Sequence, residues 1–254
     1  MMIRVARRLP DSETMNFHKQ FTKEASFVKV LANENQGGEA PKDIKGATYL
    51  YSNEEDISSS NLSAKKFKVR EVSVLLSFNS NFKVVLSSFE KVETKEKSYV
   101  TNVWKVENNI IEYKEYINGE LNFSDKNPME SDAGIVIDLF DGLTEAPAEK
   151  EDELVTALYD PTSCILQGRC CTFSGVTYRH CGKYCGNWEN SGGGVSINAL
   201  DSICYSHDLC LQGSTNRCTC HDRFLASAAG VVAPGDTTIR NGIRGAKVLE
   251  GCPL

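Results

Sequence analysis

Lys68-Val-Arg-Glu-Val-Ser-Val-Leu-Leu-Ser-Phe78, then Asn79-Ser-Asn81, then Phe82-Lys-Val-Val-Leu-Ser-Ser-Phe-Glu-Lys-Val92: two runs rich in β-branched and other apolar residues flank three small polar ones. β-Branched side chains suit a pleated, half-buried surface, and Asn and Ser favour tight turns. The stretch predicts an antiparallel hairpin. The pattern continues downstream. Residues 98–106 and 110–116 flank Asn108-Asn109, and Asn118-Gly119, a strong two-residue turn signal, precedes residues 121–123. These are the hairpins of a twisted antiparallel sheet. Nothing in it clusters His, Cys or paired acids, so the sheet reads as a binding module, an inhibitory pro-region or a scaffold.

Upstream, residues 12–32 predict one helix, capped by Asp11 or Ser12, with Phe17, Phe21, Ala25 and Val28 as its packing stripe. Residues 33–66 are polar and predict loop with at most one short strand, near residues 48–51. Residues 135–140, Ile-Val-Ile-Asp-Leu-Phe, fit a further strand. The acidic, Pro- and Gly-bearing stretch after them fits a solvated linker where proteolysis is plausible. The predicted organisation is α+β. Residues 1–145 form a helix plus antiparallel sheet domain, 146–163 an acidic linker, and 164–254 a small, mainly helical, disulfide-rich domain.

All 10 cysteines lie from Cys164 onward. An even count suits disulfides formed in an oxidising compartment, which points to a secreted protein. Zinc is the alternative, with Cys218-Thr-Cys220-His221 and Cys181-x-x-x-Cys185 as soft ligands, but paired Cys-x-x-Cys knuckles are missing. The start, Met-Met-Ile-Arg-Val-Ala-Arg-Arg-Leu-Pro, has basic residues with no signal-peptide apolar core behind it. Either the true start lies elsewhere or export takes another route. The net charge of -6 belongs to the first half. From Cys164 on, eight basic residues stand against six acidic ones. That half can approach an anionic surface, and the excess is too small to argue for nucleic acid. No apolar run approaches the ~20 residues of a membrane span.

The chemistry gathers in Asp201-Ser-Ile-Cys-Tyr-Ser-His-Asp-Leu-Cys210. A histidine can take a proton from water at neutral pH, and an aspartate beside it can hold a hard cation. Ser196 caps a predicted helix over residues 197–211, and a second helix is predicted over 218–229. Before them, Cys181-Gly-Lys-Tyr-Cys185-Gly-Asn-Trp-Glu-Asn-Ser-Gly-Gly-Gly194 is a glycine-rich loop whose turns can point carbonyls inward.

Tyr184-Cys185-Gly186 followed by Asp201-x-x-Cys204-x-x-His207-Asp208-x-Cys210 resembles the secreted phospholipase A2 family, as does Cys218-Thr-Cys220-His221-Asp222 on a second helix. The likeness covers roughly residues 164–254. It implies calcium-dependent hydrolysis of the sn-2 ester of glycerophospholipids at a membrane surface or micelle. His207 would be the general base and Asp222 the holder of its far nitrogen. Calcium would be held by the Asp208 carboxylate and by carbonyls of Tyr184 and Gly186, with Trp188 at the third carbonyl position. The Gly186 N–H would face the oxyanion. Disulfides Cys185–Cys204 and Cys210–Cys220 would brace the site. Three departures stand out. Trp188 replaces a family glycine, Leu211 stands where a tyrosine is usual, and Asp222 arrives one residue late because His221 follows Cys220. A one-residue slip turns a helical side chain by about 100°, so His221 could take the place of Asp222 as the partner of His207 or simply sit on the surface. The altered loop leaves a second function open, an exported antibacterial or toxic protein whose lipase-like half binds without turnover. A Gly-x-Ser-x-Gly elbow is missing, so a serine-hydrolase mechanism has no support.

Overall fold

The structure is a computed structural model that describes residues 2–35, 38–53, 68–128, 135, 137, 143, 170–182, 185–186, 192–213 and 216–254. It is α+β. A seven-stranded antiparallel meander runs in the order β1 (Met2–Arg8), β2 (Asp43–Asn53), β3 (Val69–Asn79), β4 (Phe82–Lys91), β5 (Lys97–Glu107), β6 (Ile110–Ile117) and β7 (Glu120–Pro128). Asn108, Asn109, Asn118 and Gly119 all have positive φ, the geometry of two-residue hairpin turns that match strand twist.

Two expectations for the N-terminal region are corrected, the short strand and the single helix, and a strand is added at its start. The basic start is an edge strand, each of its residues paired with β2 from Met2↔Asn53 to Arg8↔Ala47. Residues 43–53, expected to hold one short strand at most, form a full strand between β1 and β3. The predicted single helix is two, α1 (Asp11–Phe21) and α2 (Ala25–Glu34). They are split where the Lys23 and Glu24 N–H groups donate to Gln20 and Phe21 carbonyls. The break resets the helical phase. Phe27 and Val30 are buried, while Val28 is 46% exposed.

Because strand side chains alternate between faces, the sheet has two cores. One joins Phe21, Phe27 and Val30 of the two helices to Val72, Val74, Val84 and Leu86. The other face gathers Tyr49, Tyr51, Val85, Phe89, Trp104 and Tyr113. Ile135 and Ile137 are buried against that second face, and the rest of residues 129–142, with the linker, lies outside the described residues.

After the short hairpin β8 (Thr172–Phe173) and β9 (Val176–Thr177) come α3 (Ala199–Gly213), α4 (Arg217–Ala228) and α5 (Asp236–Leu249). α3 starts later than expected: the Asn198 side chain, rather than Ser196, accepts the Asp201 N–H. α5 has no counterpart among the sequence expectations, since its Gly242 and Gly245 weaken helix propensity. Packing explains them. A Cβ on Gly245 would lie 2.3 Å from the Tyr51 ring, so the glycine lets the helix meet the sheet closely. Arg240 and Arg244 of α5 are each 1% exposed. The Arg244 guanidinium bonds the Glu115 carboxylate on β6, and the Asn241 side-chain amide donates to Glu71 Oε1 at 2.9 Å on β3. The last helix is therefore built into both the sheet's second face and the cysteine-rich half.

Candidate active site

Asp201 sets the frame. It is fully buried in the first turn of α3. Its Oδ1 accepts the Arg179 and His180 N–H groups at 3.0 and 2.7 Å, and its Oδ2 accepts the Ile197 N–H at 3.1 Å. Three N–H bonds satisfy a buried carboxylate well. They also pin residues 179–180 against α3, which puts the next residue, Cys181, beside Cys204, one helical turn after Asp201.

Cys204 is bonded to Cys181, and Cys185 to Cys170. This corrects the Cys185–Cys204 pairing that the resemblance implied. The Asp201 clamp delivers Cys181 first, and Cys185 sits further along the turn. The Cys210–Cys220 bond between α3 and α4 is present, and Cys218 is bonded to Cys252 at the C-terminus. Disulfides of this kind hold small cores together.

Gly186, Gly192 and Gly193 of the glycine loop lie against Arg179 and His180. Gly186 has φ 95°, and a Cβ there would lie 2.6 Å from His180 Nδ1. His180 Nε2 is 3.1 Å from the Gly194 carbonyl oxygen, and its ring lies against Tyr205. Tyr184 and Trp188, two expected carbonyl donors, lie outside the described residues.

His207 lies on the buried stripe of α3 with Asp201 and Cys204. Its Nε2 is 3.0 Å from Nδ1 of His221 on α4, and the edge of Phe224 closes over it. His221 Nε2 is 3.1 Å from Glu250 Oε2, and Glu250 Oε1 accepts Arg217 Nε–H at 2.9 Å. Burial alone would raise the Glu250 carboxyl, but the His221 and Arg217 hydrogen bonds outweigh it and hold it below its ordinary value. An ionised Glu250 only accepts, so His221 presents a proton on Nε2, and in that tautomer its Nδ1 accepts. His207 then carries its proton on Nε2. The tautomers follow from the network. They leave the His207 Nδ1 lone pair free of any partner among the described residues. Burial, followed by the fields of His221 and Arg217, holds the His207 imidazole down to about 3, so the ring is neutral at physiological pH.

Asp222 stands apart from this chain of contacts. Its side chain is 59% exposed and accepts a hydrogen bond from Lys247. The late position rotates Asp222 outward and puts His221 inward, 2% exposed. Glu250 carries no sequence signal, being 29 residues from His221.

Asp208, the next residue after His207, is half-buried with no partner among the described residues, and burial pushes its carboxyl up to about 7. An unpaired, partly desolvated carboxylate suits a hard cation with oxygen ligands. Among the described residues no three His, Cys, Asp or Glu side chains converge as a metal cluster. A cage of one carboxylate and loop carbonyls would not form such a cluster, and Asp208 is the described carboxylate left to serve as its side-chain donor. Comparison with known protein families, with curated proteins and with solved structures gave no match. Among the described residues no helix is long and apolar enough to cross a membrane.

Proposed function

We propose that the chain is an exported, calcium-dependent hydrolase of the sn-2 ester of glycerophospholipids, its cysteine-rich half resembling the secreted phospholipase A2 family. The observation that carries the reading is the hydrogen-bond chain from Glu250 through His221 to His207. It leaves a buried neutral imidazole with its Nδ1 lone pair unused, one residue from an unpaired carboxylate. The disulfides support export.

In this reading His207 Nδ1 takes a proton from water as the water oxygen bonds to the ester carbonyl carbon. The Glu250 carboxylate, whose field favours a charged His207, steadies the imidazolium that forms, and the proton then passes to the leaving glycerol oxygen, giving a free fatty acid and a lysophospholipid. The Gly186 N–H is the oxyanion donor. Calcium held by Asp208 and the carbonyls of Gly186, Tyr184 and Trp188 would polarise the ester carbonyl and neutralise the substrate phosphate. Substrate is drawn from a phospholipid membrane or micelle.

The test is release of sn-2 fatty acid from mixed phospholipid vesicles by the full chain. It should require calcium and fall by roughly 10²- to 10⁴-fold in His207→Gln. Turnover that survives chelation, or that persists in His207→Gln, rules the mechanism out.

A further inference from the structure

We propose that the seven-stranded sheet serves the site by anchoring the helix that ends at Glu250, which makes Glu250 a positioning residue for His221 and, through it, for His207. The inference rests on the reading of His207 as the base. It assigns the N-terminal half a role as scaffold, where the sequence left binding module and inhibitory pro-region equally open.

Three observations carry it. First, Glu250 closes the relay from the end of α5, an element that the sheet and the cysteine-rich half share. Second, α5 is fixed to the sheet by directional contacts. Arg244 bonds Glu115, from which it is separated by 129 residues. Asn241 donates to Glu71 Oε1 and to Ser87 Oγ at 2.9 and 3.3 Å, and the Arg240 guanidinium lies 5.0 Å from the Tyr113 ring centroid. Such bonds fix register and rotation in a way that apolar contact does not. Third, the helix end is locked as well. Gly251 has φ 77°, and the Gly251 and Cys252 N–H groups donate to the Val248 and Lys247 carbonyls at 3.2 and 2.8 Å. This is the Schellman stop. Cys252 is then bonded to Cys218, the neighbour of Arg217, which itself holds Glu250. Sheet, helix, helix stop and disulfide all converge on one carboxylate, and the group they place is the one that sets the tautomer of His221.

A sheet that seats the third member of the relay cannot be removed without loosening it. An inhibitory pro-region behaves in the opposite way, since weakening its contacts releases activity.

The experiment uses the full-length protein labelled with ¹⁵N. The imidazole N–H signals of His221 are followed by NMR in wild type, Glu250→Gln, Glu250→Asp, Glu115→Gln and Asn241→Ala. Phospholipid hydrolysis is measured in parallel. In wild type the His221 Nε2–H should be protected from solvent exchange and shifted downfield. Glu250→Gln should move it upfield or lose it to exchange, with kcat down roughly ten- to a hundredfold and KM little changed, as expected for losing one charge-assisted bond. Glu250→Asp should restore part of both. Glu115→Gln and Asn241→Ala, far from the rings, should broaden or shift the same signal and lower kcat. If Glu115→Gln does not fold, Asn241→Ala, which leaves the ion pair in place, decides the point. A His221 signal unchanged in Glu250→Gln overturns the positioning role. A normal signal, or raised activity, in folded sheet variants overturns the scaffold role. If wild type hydrolyses no phospholipid while the signal still depends on Glu250 and on the sheet, the phospholipase reading fails and the positioning stands.

Discussion

Arg244 on the last helix and Glu115 on the sixth strand form an ion pair in which the side chains are 1% and 5% exposed. The two charges are out of water, so each depends on the other. Glu115 also accepts from Asn122 and Tyr113 at 2.9 and 3.0 Å, which leaves few of its lone pairs unused. Glu115→Ala would strand a guanidinium inside the protein, at a cost of about 3–5 kcal/mol. Replacing both partners with apolar residues of similar volume should cost far less. Urea unfolding of Glu115→Ala and of the Glu115→Met/Arg244→Met pair checks both. Equal losses in the two proteins would mean that the charge is not the source of the effect.

Acid should weaken the N-terminal half through a second carboxylate. Glu34, at the end of α2, bonds Lys105 Nζ at 2.7 Å and Lys114 Nζ at 3.1 Å, and accepts from the Tyr116 hydroxyl. Burial raises its carboxyl, but these partners outweigh burial and hold it below the ordinary value of 4.5. A depressed folded value means that the unfolded chain binds the proton first as pH falls. The stabilisation is present above about pH 4.5 and is lost below it, through the folded value. Glu34→Gln should therefore lower the urea midpoint at pH 6 and narrow the gap to wild type at pH 3. A gap that stays constant across that range would show that ionisation of Glu34 contributes nothing.

The two candidate partners of His207 should separate cleanly. Asp222 reaches the buried Lys247 ammonium from a side chain that is 59% exposed, and it has no contact with either imidazole among the described residues. His221 is buried between His207 and Glu250. Asp222→Asn should change hydrolysis by less than about threefold, whereas His221→Ala should cost roughly ten- to a hundredfold in kcat. The reverse order would restore Asp222 as the partner and remove Glu250 from the site.

These contrasts mark how far the chain could be read. The hairpins were legible because turn chemistry is local: Asn108-Asn109 and Asn118-Gly119 announce positive φ on their own. β1 was missed because Arg4, Arg7 and Arg8 interrupt the apolar alternation of a strand, although folding buries Arg7 against Glu13 at 3.0 Å. α5 was missed because Gly242 and Gly245 argue against a helix until Tyr51 is seen lying against the second of them. His207 and Asp208 lie in one local motif and were singled out there. Glu250 was not, because its place depends on a helix stop, a disulfide and a sheet more than a hundred residues upstream. The Cys181–Cys204 bond depends on the Asp201 clamp, a contact that no spacing reveals.

The cation reading has a consequence for stability that needs no substrate. Asp208 is half-buried without a partner among the described residues, and burial pushes its carboxyl up to about 7. Folding therefore works against its charge at and above neutral pH, and an ion bound there removes that cost. A ligand that binds only the folded state stabilises it by about 2.7 kcal/mol at a hundred times its Kd. For a chain of this size that corresponds to roughly 5–10 °C in Tm. Calcium should raise Tm by that amount in wild type. In Asp208→Asn the calcium response should vanish, while the calcium-free Tm at pH 8 should match or exceed wild type, because the neutral amide costs less to bury than the ionised carboxylate. Chelator should return wild type to its calcium-free Tm. A calcium shift of equal size in Asp208→Asn would place the ion elsewhere, and a calcium-free Asp208→Asn protein well below wild type would mean that the carboxylate is a structural group rather than a waiting ligand.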